Sequence, residues 1–203
     1  MFKVALRGFG AASILIAVIT IADGRTNVPV AAAAPAETEE RVPVGGSALG
    51  TSGQPVRIKS LLNVRKRLKH GEYVWQEEGV AEGPVLVAVN LETQTLSVFR
   101  DGHEIGTSVI LYGAHEKPTP LGEFSVKTKL EHHRSSTYGA PMPYTLRLTD
   151  DGVAIHGSDV KWGRATHGCI GVPTKFAALL FKQVKVGDKV LVERRRFEER
   201  GSA

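Results

Sequence analysis

Residues 85–102 read VLVAVNLETQTLSVFRDG, and this stretch decides the class of fold. Val85–Val89 and Thr95–Phe99 are short runs rich in β-forming residues, and a polar connection separates them. Such runs favour strands over helices. The Asp101-Gly102 pair that follows is typical of a tight hairpin turn, because both residue types tolerate a positive φ. The sequence therefore predicts consecutive antiparallel strands in this region.

The strand pattern continues toward the C-terminus. A third strand is expected at Ile105–Leu111, directly after the turn. Short β-rich runs, each set off by Gly, Pro or Asp, predict further strands at Glu123–Lys127, Thr145–Leu148, Val153–His156 and Lys189–Glu193. Many short strands at regular spacing indicate a mainly β domain over residues 72–194, either a β-sandwich or a barrel-like fold.

One helix interrupts the strands. It is expected to begin at Pro173 and to end before Gly187, because four residues follow the proline at helical spacing: Phe176, Leu179, Leu180 and Gln183.

The N-terminal residues 1–25 have the pattern of a targeting segment. Lys3 and Arg7 precede an uncharged apolar run at 11–22, the length of a signal-peptide core. The run is short for a membrane-spanning helix, which needs about 20 apolar residues. We therefore expect residues 1–25 to be a signal peptide or an uncleaved anchor that contacts the membrane. Either version exports the rest of the chain to the periplasm or cell envelope.

Three further segments flank the β domain. Residues 26–56 are rich in Ala, Pro, Gly, Ser and Thr, which predicts a disordered linker. Residues 195–203 are expected to form a charged tail. Residues 57–71 are predicted to form a basic amphipathic helix, because four apolar residues can share one face: Ile58, Leu61, Leu62 and Leu68. Its basic face either is solvated or is attracted to an anionic wall or membrane.

The charge of the chain favours anionic surroundings. Its formal net charge is +5 and its isoelectric point is near 9.4, which suits nucleic acid, anionic lipid or an acidic wall polymer. A nucleic-acid binder would show a recognisable module or aromatic residues among the basic ones. Only 6% of the residues are aromatic and no such pattern occurs, so we expect no nucleic-acid partner.

The single cysteine, Cys169, is the strongest chemical signal. An unpaired cysteine in an exported chain indicates either a functional free thiol or a small buried apolar residue. Its context, Thr166-His167-Gly168-Cys169, favours the thiol, because a histidine is the usual partner that activates a cysteine nucleophile. Gly168 lets the backbone turn tightly and present consecutive N–H groups near the thiol, as an oxyanion hole requires.

A second histidine block, Ile155-His156-Gly157-Ser158, lies shortly before the first. Together with two upstream blocks, it gives the chain a resemblance to the L,D-transpeptidases of the YkuD type. Lys117–Phe124, KPTPLGEF, is similar to the family's TPxGxF signature, and Ser136–Tyr144, STYGAPMPY, follows it. The four blocks occur in the family's order, and the resemblance covers nearly all of residues 83–193.

This resemblance implies a β-sandwich of mixed sheets with one or two helices and a two-step acyl transfer without a cofactor. The Cys169 thiolate would attack a peptidoglycan stem tetrapeptide, release D-alanine and form a thioester. An amine of a neighbouring stem would then resolve the thioester. Peptidoglycan stem peptides are thus the expected partners, and acylation by carbapenems is expected as well.

The resemblance also implies roles for the neighbouring residues. His156 would be the base, oriented through its second ring nitrogen by the carbonyl of Gly157, and His167 would support the site. The N–H groups of Gly168 and Cys169 would bind the oxyanion, helped by the hydroxyl of Tyr138 or Tyr144. The expected substrate-binding residues are Tyr138, Tyr144, Ser158, Thr166 and Trp162.

Two departures from the family pattern affect which substrate the chain is expected to recognise. Gly171 stands two residues after the cysteine, where the family usually has Arg or Asn, and the stretch between His156 and Thr166 is short. Two alternative functions therefore stay open: a cysteine peptidase or amidase that hydrolyses wall peptides, and a catalytically silent wall-binding module. No metal site is expected, because adjacent histidines such as His132 and His133 point to opposite faces of a strand. They are expected in a loop over the cleft.

Overall fold

The computed structural model describes residues 39–49, 55–113 and 117–194. In these ranges the chain forms twelve strands and one helix. The elements are β1 Glu39–Leu49, β2 Pro55–Asn63, β3 Tyr73–Trp75, β4 Val85–Asn90, β5 Thr95–Arg100, β6 His103–Val109, β7 Gly122–Ser125, β8 Thr128–Leu130, β9 Thr145–Arg147, β10 Ala154–Ser158, β11 Ile170–Pro173, α1 Thr174–Gln183 and β12 Lys189–Glu193.

The larger sheet grows from the predicted hairpin. β5 pairs antiparallel with both β4 and β6, and the turn between β5 and β6 has positive φ at Asp101 and Gly102. β12 returns parallel to β4 and pairs with β7 on its other side. The strand order is β1-β2-β6-β5-β4-β12-β7, with β3 also paired to β6. The hairpin predicted from the Asp-Gly pair is therefore confirmed.

The smaller sheet has the order β11-β10-β9-β8. β10 is parallel to β11 and antiparallel to β9, so both sheets are mixed. Ile155 of β10, Ile170 of β11 and Phe176 of α1 are fully buried in one core with the inward residues of the larger sheet. The fold class is confirmed: a mainly β domain with two mixed sheets and, in the described ranges, one helix.

The predicted helix at 57–71 is wrong. Residues up to Asn63 form β2, where Ser60 and Leu62 are buried while Lys59 and Leu61 are exposed, the two-residue period of a strand. The edge of β6 explains why these residues form a strand and not a helix, because the Leu62 N–H donates to the Glu104 carboxylate at 2.9 Å. Leu62 thus gains a buried partner that a helix would not give it.

The linker predicted at 26–56 is wrong where the structure describes it. β1 occupies residues 39–49 and pairs antiparallel with β2, which begins at residue 55. Arg41 fastens β1 to the domain by donating to the carbonyl oxygens of Glu78 at 3.2 Å and Glu104 at 3.3 Å. The predicted targeting segment and tail, residues 1–25 and 195–203, lie outside the described residues. Within the described ranges, no helix is both long and apolar enough to cross a membrane.

Candidate active site

The parallel pairing of β10 and β11 positions the two proposed reacting groups. His156 is opposite Gly171 in the register, and Cys169 immediately precedes β11. Because side chains alternate along a strand, Gly171 lies on the same face as His156, while Ile155 and Ile170 point into the core. His156 is therefore paired with a residue that lies two positions after Cys169.

The imidazole of His156 is buried, with 8% of the residue exposed, and one of its nitrogens is engaged. Nδ1 lies 3.0 Å from the carbonyl oxygen of Gly157. A carbonyl only accepts, so Nδ1 carries the proton and Nε2 is free to act as a base. Burial lowers the pKa of His156, the Gly157 hydrogen bond opposes this shift, and nearby His133 adds to it. The ring is therefore held in its neutral form at neutral pH.

The thiol of Cys169 is half-buried. Burial raises its pKa, while a backbone hydrogen bond at Ala154 and the charge of Lys117 lower the pKa and Asp151 raises it. Sγ also lies 3.7 Å from the carbonyl oxygen of Gly152. Burial thus favours the neutral thiol of Cys169, as it favours the neutral imidazole of His156.

The turn before the thiol depends on glycine. Gly168 has φ +98°, in the left-handed region that side chains disfavour. Gly113 packs directly against this turn: a Cβ there would lie 2.2 Å from the carbonyl oxygen of Lys117 and 2.8 Å from the Gly168 nitrogen. The nucleophile loop and the loop at 117–119 therefore meet with no room for a side chain between them.

Two threonine hydroxyls hold the carbonyl of Cys169. Thr166 Oγ1 donates to it in a short hydrogen bond, and Thr119 Oγ1 donates to it at 3.4 Å. Thr119 Oγ1 also accepts from the Gly113 N–H at 2.9 Å and is almost fully buried. We call this arrangement the threonine clamp. It fixes the orientation of the peptide group that joins Cys169 to β11.

The loop at 131–144 closes over the histidine block. Its two arms pair through Arg134 and Pro141, and its tip carries Tyr138. The Tyr138 ring stacks on His167, with centroids 4.5 Å apart, and stays 57% exposed. The tip of this loop therefore contacts the residue that lies two positions before Cys169.

The structure divides the predicted substrate-binding residues. Ser158 lies beside the place of a residue-171 side chain, because a Cβ at Gly171 would be 3.0 Å from the Ser158 Cβ. Thr166 is committed to the clamp. Tyr144 instead packs edge-on against Phe181 of α1, and Trp162, 83% exposed, packs edge-on against His70. The contacts of Tyr144 and Trp162 thus do not join them to Cys169.

Sequence reasoning assigned no role to several residues that support the nucleophile. Lys117 and Thr119 belong to the KPTPLGEF block, so the motif itself was the available signal. Gly113 and Asp151 carry no motif, and only the folded chain brings them near the thiol loop. Among the described residues, no group of three or more His, Cys, Asp or Glu is placed to hold a metal ion.

Comparison with known proteins identifies a family whose model matches this chain. The family model for YkuD, the L,D-transpeptidase catalytic domain, matches residues 84–192, more than half of the chain. The chain is 29% identical over 133 residues to L,D-transpeptidase 1 of Mycobacterium tuberculosis, a match of 57% of this chain and 53% of that protein. The chain thus spans about half the length of this curated relative.

Solved structures of L,D-transpeptidases also resemble this chain. A crystal structure of an L,D-transpeptidase from Stackebrandtia nassauensis aligns with a TM-score of 0.51 and 26% identity, over 56% of this chain and 58% of that one. A structure described as the Ldtfm-avibactam carbamoyl enzyme aligns with a TM-score of 0.50 and 31% identity, over 55% of this chain and 49% of that one.

Proposed function

Because the chain belongs to the family of L,D-transpeptidase catalytic domains, YkuD, we propose that it is a peptidoglycan L,D-transpeptidase acting through a thioester on Cys169. The observation that carries this proposal is the register of β10 and β11, which pairs His156 with Gly171, two residues after Cys169. The hydrogen bond from His156 Nδ1 to Gly157 supports it, because it leaves Nε2 as the base.

The neutral thiol and neutral imidazole suit a coupled first step. Nε2 of His156 takes the Sγ proton as Sγ bonds to the carbonyl carbon of the L-centre residue in a stem tetrapeptide. The C–N bond to the terminal D-alanine then breaks, and the proton passes to its leaving amine. In the second step an amine of another stem attacks the thioester, and Cys169 leaves as a thiol. General base catalysis of this kind contributes typically about 10²–10⁴-fold in rate.

The oxyanion that forms in each step needs fixed donors. The N–H groups of Gly168 and Cys169 are suited to this role, since the glycine turn and the threonine clamp fix the backbone on both sides of the thiol. A preorganised donor of this type contributes roughly 2.7–4 kcal/mol to the transition state.

The proposal includes the place of action and an inhibitor class. The sequence pattern of residues 1–25 supports export, so the enzyme would act in the periplasm or cell envelope. Carbapenems would acylate Cys169, because attack on the β-lactam carbonyl opens the ring as a stem peptide bond would be opened. A relative described as an avibactam carbamoyl enzyme supports covalent trapping of this kind.

The test is incubation of the purified protein with a stem tetrapeptide and an amine acceptor. We expect release of D-alanine, formation of a cross-linked product and a thioester mass on Cys169. Cys169→Ala should abolish all three, and Cys169→Ser serves as a matched variant that keeps the size of the side chain. Release of D-alanine with hydrolysed peptide alone would assign a peptidase. Wall binding without any acyl-enzyme would assign a binding module.

A further inference from the structure

A cavity of about 330 Å³ adjoins the loops that carry Pro118 and Ala165. Its apolar wall contains Ile110, Leu111 and Pro118, and its polar groups come from distant parts of the chain. The full set of lining residues is His70, Gln94, Ile110, Leu111, Tyr112, Gly113, Pro118, Arg164, Ala165 and Arg194. The mechanism proposed above uses none of these side chains.

The charged groups of this cavity have one sign. Arg164 and Arg194 line it from two separate segments, and no carboxylate is among its described lining residues. The guanidinium of Arg194 lies over the Tyr112 ring, 5.7 Å from its centroid. Cations brought together without a lining carboxylate favour an anionic ligand.

The rim extends this basic surface. The basic run at 65–69 leads into His70, and the exposed Trp162 packs edge-on against that histidine, with centroids 5.4 Å apart. Asp159 is the acid bonded to Arg164, at 3.5 Å, but it also pairs with Lys161 at 2.8 Å. Exposed pairs of this kind are worth at most about 1 kcal/mol, so an incoming carboxylate can replace Asp159 at Arg164.

The cavity adjoins the threonine clamp. Pro118 directly precedes Thr119, and Ala165 directly precedes Thr166. Leu111 of the cavity wall exchanges backbone hydrogen bonds with Gly171, two residues after the thiol. A ligand in the cavity would therefore contact the residues next to those that hold Cys169.

We propose that this cavity and its basic rim bind the carboxylates of a second peptidoglycan stem peptide, the acyl acceptor. The inference rests on the proposed function, which requires a second stem to reach the thioester. Stem peptides carry free carboxylates, and the thiol face of the sheet is the place for the donor. An acceptor anchored by Arg164 and Arg194 is thereby held beside the loop that carries the thioester.

The kinetic test compares two variants that each remove two positive charges from the full chain. Arg164→Gln/Arg194→Gln removes the cavity arginines, and Lys175→Gln/Lys182→Gln removes two exposed lysines of α1. The arginine variant should raise the KM for a stem tetrapeptide acceptor about fivefold, the scale of two exposed charge contacts. Its acylation by the donor and its melting temperature should stay unchanged. The lysine variant should match the parent. An equal rise in both variants, or no rise in either, would overturn the inference.

A binding test separates this inference from the proposed function. Each double variant is combined with Cys169→Ala and sedimented with purified sacculi, so that no acyl transfer occurs. Loss of binding in the arginine variant alone supports the surface even if the parent forms no thioester. Equal binding of all three proteins contradicts the surface even if the parent is an active transpeptidase.

Discussion

At the scale of single residues, the thiol of Cys169 lies between two charges of opposite effect. Burial raises its pKa, and among the charged side chains Lys117 lowers the pKa while Asp151 raises it. The side-chain carbons of Lys117 run close to Gly168, with Cγ 3.5 Å from the place of a Cβ at that glycine. After burial and the backbone hydrogen bond at Ala154, these two side chains adjust how readily the thiol ionises.

Substitution of the two charges should change thiol reactivity in opposite directions. Lys117→Met should raise the pKa of Cys169 further and slow its alkylation by iodoacetamide at a fixed pH, because the thiolate is the nucleophile. Asp151→Asn should lower the pKa and speed alkylation. The pH dependence of alkylation measures both. Shifts of the same sign would show that shape, and not charge, governs the thiol.

The threonine clamp should act on rate more than on stability. Thr166→Val leaves the Cys169 carbonyl with the weaker Thr119 bond, so we expect acylation to slow on the order of tenfold or more, since small misplacement of a reacting group is costly. Thr166→Ser should restore the rate. The measurement is the acylation rate with a carbapenem, beside the melting temperature.

Thr107→Val is the matched control for the clamp. Thr107 is buried, as Thr119 of the clamp is, and its hydroxyl lies 3.4 Å from Ser97 Oγ in β5. The acylation rate of this variant should equal that of the parent. If Thr107→Val slowed acylation as much as Thr166→Val, the clamp would have no specific positioning role.

At the scale of elements, Glu104 connects β2 to β6 through a buried carboxyl group. Burial raises its pKa, although hydrogen bonds from Ser97 and Leu62 oppose the shift. A carboxyl whose pKa is raised by folding stabilises the fold at pH values below its unfolded pKa. That stabilisation is lost as the pH rises through the folded pKa.

Glu104→Gln should therefore have a pH-dependent effect. The amide resembles the protonated carboxyl, so the variant should match the parent in free energy of unfolding near pH 4. At pH 8 the variant should be the more stable protein, because it buries no charge. Denaturant unfolding at the two pH values measures the difference. A gap that is constant with pH would mean that Glu104 does not titrate in this range.

The sequence predicted those elements whose local residue pattern is enough to specify a strand, a turn or a helix. The hairpin of β4 to β6 and the helix after Pro173 carry local signals, an Asp-Gly turn and a helical spacing of apolar residues. Residues 57–63 fit both a helical face and a strand, and the edge of β6, far along the chain, decides between them. The His and Cys blocks were visible for the same local reason. The clamp was not, because Thr119 and Cys169 are 50 residues apart.

At the scale of the whole molecule, the domain is larger than the family match. Residues 84–192 match the family, yet Arg100, only 5% exposed, donates to the carbonyl oxygens of Glu77 at 3.1 Å and Val80 at 2.8 Å. The ring of Trp75 also packs edge-on against Phe176, with centroids 5.4 Å apart. The segment before the matched region thus completes the core.

A truncated chain tests whether the segment before residue 84 contributes to the stability of the domain. Residues 84–194 alone should be less stable than residues 39–194 by about 3–5 kcal/mol, because Arg100 would lose its ion pairs with Glu77 and Glu82 and Phe176 would lose the Trp75 ring. Circular dichroism during denaturant unfolding measures both chains. A fragment 84–194 that unfolds at the same denaturant concentration as 39–194 would show that the upstream segment is dispensable. Arg100→Met in the fragment should recover part of the loss.

The parallel pairing of β10 and β11 has a consequence for how such enzymes diverge. The two strands are joined by residues 159–169, while four paired positions fix their register independently of that connection. Insertions and deletions between Asp159 and Ala165 can therefore change this connection while the pairing of His156 with Gly171 stays the same. Selection can change what approaches Cys169 without changing the strand register that holds His156.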